Sequence, residues 1–167
     1  MRTNWGLVAL TALFTGAGAV QAQTASPTSD EAQRTAQAER LQRQAQEASQ
    51  HVSSFKEASS LYREAAETLG DHPEAATQLM QAARLAYYTG DEDAAIRDFT
   101  AAGERALAWG DVLAAAQSFL DAAWVAAEAQ RGEAAELAHR AEKLSSSPLI
   151  QRQERLALLN RIAEMQE

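Results

Sequence analysis

From Ala38 onward, apolar side chains recur three and four positions apart rather than alternating, which is the period of amphipathic helices and not of strands. The clearest stretch, GDEDAAIRDFTAAGERALAWGDVLAAAQSFLDAA from Gly90 to Ala123, states one pattern twice. Gly70-Asp71, Gly90-Asp91 and Gly110-Asp111 stand 20 residues apart. Each pair is followed at constant offsets by a small, a large and a small residue: Ala75, Leu79, Ala82; then Ala95, Phe99, Ala102; then Ala115, Phe119, Ala122. A weaker fourth copy, Ala134, Ala138 and Ala141, comes after Gly132 with the offset shortened by three residues. Glycine closes a helix in the left-handed conformation at no steric cost. The aspartate behind it can cap the first free N–H groups of the next helix. So short a linker folds successive helices back antiparallel, and the Ala-x3-Phe-x2-Ala spacing sets all three side chains on one face. The pattern predicts helices at about 73 to 89, 92 to 108, 112 to 129 and 133 to 145. The one from Val112 is apolar on nearly all sides and is expected between neighbours. Ser145-Ser146-Ser147-Pro148 then breaks the chain. A last helix over about 148 to 165, with Leu149, Leu156, Leu159 and Ile162 on one side, is expected to cap the stack.

Upstream, Ala38, Leu41, Ala45, Ala48, Val52, Phe55, Ser59, Tyr62, Ala66 and Leu69 keep a heptad for over four repeats. Residues 38–69 then have two readings. Either they form a coiled coil that makes a homo-oligomer, or residues 53 to 69 are the first helix of the stack behind a frayed Gln-rich extension. Residues 23–37 are polar and are expected as a flexible stalk. Residues 1–22 have the layout of a cleavable secretory signal, with Arg2, an apolar run from Trp5 to Val20, and small residues Val20 and Ala22 at the positions read by signal peptidase. The expected cut falls after Ala22, giving a periplasmic or secreted protein with no stable membrane insertion. The remaining divisions are the helical repeats at 70–145 and the capping helix at 146–167.

Composition sharpens this picture. Alanine is far above ordinary usage and prolines number three, so the expected fold class is all-α: an antiparallel helix-hairpin solenoid. Removing residues 1–22 takes one of 15 basic residues, and 14 against 23 acidic leaves a net charge of −9. Nucleic acid is a poor partner for such a chain, since phosphate binding needs a basic stripe. There is no cysteine, so in an oxidising compartment the core alone must hold the fold.

Gly90-Asp91 with Ala95, Phe99 and Ala102, and Gly110-Asp111 with Ala115, Phe119 and Ala122, resemble the second helix of a tetratricopeptide repeat. Gly103 falls where that family places a small residue in its first helix, and Leu79 and Ala83 take the equivalent positions before Gly90. The resemblance covers about residues 70 to 145. It departs in period, with about 20 residues per helix against a 34-residue repeat, and in lacking the closing proline. It implies a concave groove that holds a peptide or helix of another protein, and no catalysis. A heptad segment ahead of such repeats also resembles periplasmic envelope proteins that coordinate cell-wall synthesis with outer-membrane constriction.

Candidate chemistry is sparse. His51, His72 and His139 form no metal-ligand spacing. Glu136-x-x-His139 matches half of a di-iron motif whose second half is absent. No phosphate loop or nucleophile elbow occurs, so neither cofactor nor metal is expected, and the chain is read as non-enzymatic. Asp121 stands inside the most apolar helix. It is expected to pair with an arginine such as Arg84, Arg97 or Arg105, with ligand anchoring as the alternative. Tyr87, Tyr88 and Trp109 are the candidate partner-binding residues, because such rings anchor interfaces; Trp124 is expected in the core. The expected function is therefore an exported module for protein–protein interaction in cell-envelope organisation. The alternatives are a helical bundle holding a small ligand around Asp121, and a structural oligomer.

Overall fold

A computed structural model describes residues 28–166. Among them the chain forms seven α-helices and no strand: α1 (Ser29–Ala48), α2 (Phe55–Leu69), α3 (Glu74–Tyr88), α4 (Glu92–Ala108), α5 (Val112–Glu128), α6 (Ala134–Ser145) and α7 (Arg152–Gln166). From α1 to α6 each helix packs antiparallel on the next, and α7 lies against α5 and α6. This is the expected all-α, helix-hairpin solenoid. From α2 onward, side chains also tie each helix to the next but one. Arg63 of α2 reaches Asp98 of α4, Tyr87 of α3 reaches Glu128 of α5, Arg140 of α6 reaches Glu104 of α4, and Arg161 of α7 reaches Asp121 of α5. Even helices thus form one layer and odd helices the other.

The repeated positions are the interior. Ala75, Ala95 and Ala115, with Ala82, Ala102 and Ala122, are fully buried, and Leu79, Phe99 and Phe119 fill the space between them. Gly103 explains its own smallness: a β-carbon there would stand 2.8 Å from the Phe119 ring, well inside contact distance. The other side of that ring is covered by the Arg140 guanidinium, 3.9 Å from its centre.

Gly90 and Gly110 take φ of 74° and 76°. At each, the N–H of the following aspartate donates to the carbonyl five residues back, Asp91 to Ala86 and Asp111 to Ala106, both at 2.9 Å. That is the Schellman closure. The same aspartates then cap α4 and α5, their carboxylates accepting from the N–H of Ala94 and Ala114. At Gly70 only the left-handed φ is kept; His72 Nδ1, not Asp71, accepts from the Glu74 N–H. The fourth turn corrects the expected register. Its left-handed residue is Gln130, φ 54°, and the Arg131 N–H donates to the Ala126 carbonyl at 2.7 Å. The turns therefore keep the 20-residue period through position 130, and Ala134 lies four residues past the turn where Ala115 lies five past Gly110. Lacking an aspartate there, α6 starts with no side-chain cap.

Upstream, residues 55–69 are a helix of the stack, as the second reading has it, but the structure departs from a continuous coiled coil and from a frayed extension. Residues 49–54 interrupt the heptad with a bend and a 3-10 turn (Val52–Ser54), and α1 doubles back on α2. Ala38 is buried among Ala66, Leu69, Ala75, Leu79 and Ala102, and Ala45 among Ala58, Tyr62, Ala82 and Leu85. The heptad seam is thus closed within one chain. Residues 29–37, expected as stalk, are the first half of α1, capped by the Thr28 hydroxyl on the Glu31 N–H. Alanine, glutamine, arginine and glutamate there all favour helix. The expected signal, the cut after Ala22 and the start of the stalk lie outside the described residues. At the other end, α7 begins at Arg152 and not at Pro148. Leu158 and Ile162 face inward, while Leu149, Leu156 and Leu159 face out. Of the four residues expected on the capping side of this helix, Ile162 alone turns toward the stack.

Candidate functional site

The odd-numbered layer carries a groove of about 330 Å³. Its walls come from Arg84, Tyr87 and Tyr88 at the end of α3, Asp121 and Trp124 on α5, and Arg161 and Glu164 on α7, over a floor of Phe99 and Val125. Tyr87, Tyr88 and Trp124 are among the exposed large side chains of the molecule. Tyr87 and Tyr88 stand 5.8 Å apart between ring centres, and Phe55 continues the cluster 6.3 Å beyond Tyr88. The Tyr87 hydroxyl donates to Glu128 Oε2 at 2.7 Å. That bond, with the carboxylate charge, holds the phenol above its usual pKa. The side chain is thereby tied to α5 while part of it stays exposed.

Asp121 sits in the groove wall, bonded to Arg161 at 2.6 Å. The expectation of a paired carboxylate holds, but its partner is on α7 and not among Arg84, Arg97 or Arg105. Arg97 instead meets Asp98 at 3.3 Å, and Arg105 donates to the Gly70 carbonyl. Among the described residues Asp98 is the deeply buried carboxylate, held by Arg63 at 2.6 Å. Hydrogen bonding to Asp98 raises the Arg63 pKa against the opposing effect of burial.

Trp109 is exposed, as expected, but the structure does not bring it to the tyrosines. It closes α4 on the opposite edge of the stack, beside the α2–α3 turn, and its indole N–H donates to the Asp71 carbonyl. There it lines a separate hollow of about 290 Å³ with Glu31, Arg34, Leu69 and His72. No known protein family, curated protein or solved structure matches this chain.

Trp124 takes the place expected for Trp109, and its expected burial is corrected. The signal was present: Gln117, Asp121, Trp124 and Glu128 succeed one another at spacings of four, three and four, one stripe that carries most of the polarity of α5. Asp121 and Trp124 of that stripe line the groove. The even-numbered layer has a larger depression of about 550 Å³ between α4 and α6, but its rim of Asp93, Arg97, Glu104 and Arg140 is tied up in ion pairs. His139, three residues from Glu136, is exposed and lies 3.9 Å from Glu142. No group of three His or acidic side chains gathers at metal-binding distance among the described residues.

Proposed function

We propose that this chain is an exported, non-enzymatic scaffold that binds a segment of another protein, in the manner of a tetratricopeptide-like repeat. The observation that carries the reading is the convergence of Tyr87, Tyr88 and Trp124 on one groove, on helices whose positions the repeat fixes. Aromatic side chains on a rigid support give large contact area with little entropy lost on binding, and they dominate interface energetics. The secretory layout of residues 1–22 supports export, and with it a partner in the cell envelope.

The test is capture of partners from an envelope fraction by residues 23–167, followed by titration of the purified partner. Replacing Tyr88 and Trp124 by alanine is expected to weaken binding by at least about 30-fold, the loss of one hot spot. Trp109→Ala, on the opposite edge of the stack, should leave binding unchanged. Equal loss in both variants, or loss only with Trp109→Ala, would remove the groove as the binding face. A small ligand is the second reading, because about 330 Å³ is at the lower end of ligand pockets. Native mass spectrometry of the purified protein should then find one copurified mass; an apo mass in repeated preparations counts against that reading.

A further inference from the structure

The two ends of the stack are finished differently. Among the described residues, α1 exposes no large apolar side chain on its outer face, whereas the outer end at α7 exposes Leu149, Leu156 and Leu159. A solenoid helix that ends a stack normally turns a polar face outward. Here Arg152, Leu156, Leu159 and Ala163 succeed one another at spacings of four, three and four, a heptad seam facing solvent, while Leu158 and Ile162 hold the helix from behind.

We propose that this face is the contact of a homodimer, in which α7 of one copy pairs antiparallel with α7 of a second copy across a two-fold axis between Leu156 and Leu159. In that register each Leu156 meets Leu159 of the other copy, and each Arg152 stem lies over the small Ala163. The Arg152 guanidinium, which makes no ion pair among the described residues, then falls within reach of Glu164 of the other copy. Large faces small and positive faces negative, twice, as an isologous contact requires. Head-to-tail stacking is disfavoured because the polar α1 offers these leucines nothing to pack on. The contact borrows Glu164 from the wall of the aromatic groove but uses none of the aromatic side chains there.

One pair of 15-residue helices buries less than about 1,200 Å² in total, the weak end of specific interfaces. The expected dissociation constant is therefore roughly 10 to 100 µM. Sedimentation of the purified chain, as expressed and as residues 23–167, from about 5 to about 500 µM should show association that stops at two copies. Leu156→Glu with Leu159→Glu should raise the dissociation constant at least about 30-fold with helical circular dichroism unchanged, since both side chains are exposed; Ala163→Arg should do the same. The chain has no cysteine, so register can be read directly. Mixed Leu156→Cys and Leu159→Cys chains should oxidise to the cross-linked pair in preference to either like pair. A monomer across the whole range, growth past two copies, a dimer indifferent to the glutamate variants, or like-pair disulfides alone would each overturn the proposal.

Discussion

Phe119 and Gly103 show how one residue's size is set by another's. The ring is fully buried between layers, and the missing β-carbon of Gly103 is what admits it. Phe119→Ala should cost about 3 to 5 kcal/mol, the range for a large aromatic lost from a core, read as a lowered denaturant midpoint. Gly103→Ala should cost about 1 to 3 kcal/mol by overpacking, and most of that loss should vanish in a Phe119→Leu background. Additive losses in that cycle would mean the two positions do not share the space. Both residues were legible in the sequence because a fixed offset from each Gly-Asp pair marks them. Asp98 was not. It lies three residues from Ala95 and four from Ala102 on the buried stripe, and its arginine is 35 residues away, so pairing across the layer had no local sign. Arg63→Met should cost about 2 to 3 kcal/mol, less than for a fully buried pair, because Arg63 keeps 28% of its side-chain surface exposed. An unchanged midpoint would mean that Arg97 alone neutralises Asp98.

At the level of helices and turns, boundaries set by backbone chemistry were readable and boundaries set by packing were not. The Gly-Asp pairs located the starts of α4 and α5 to the residue, because a left-handed glycine and a capping aspartate act within a few positions. The start of α7 was misplaced by four residues. There Ser147 accepts from the Leu149 N–H and Ile150 tucks into the core, and the chain turns for both reasons before the helix begins. The heptad over 38–69 misled because a seven-residue repeat of small residues serves an intramolecular hairpin as well as a coiled coil; only the bend at residues 49–54 distinguishes them. The fourth turn supplies the test at this scale. A left-handed conformation costs an L-residue about 1 to 2 kcal/mol, so Gln130→Gly should stabilise the protein by about 0.5 to 1 kcal/mol once the entropy of glycine is set against it. Gly110→Ala should destabilise by about 1 kcal/mol. Opposite signs in thermal melts are the expected result; a loss in both would mean that the Gln130 side chain contributes contacts of its own.

Across the whole molecule, burial is graded along the stack. The large core cluster runs from Ala76 to Ile162 and centres on α4 and α5, where Phe119 and Leu120 are fully enclosed. Helices at the ends have neighbours on one side only: α1 buries Ala38 and Ala45, and α7 turns Leu158 and Ile162 inward. In a chain of this kind stability is nearly a sum of nearest-neighbour terms, so opening should begin at the ends and move inward. Amide hydrogen exchange should therefore find the slowest protons in α4 and α5, with α1 and α7 exchanging first. The two ends should respond differently to protein concentration. If α7 is the dimer contact, its exchange should slow as concentration rises through the association range, by mass action, while that of α1 stays constant. The glutamate variants at Leu156 and Leu159 should abolish the difference. Uniform exchange across all seven helices would indicate one cooperative unit, and would contradict the graded packing that the pattern of alanine and phenylalanine builds.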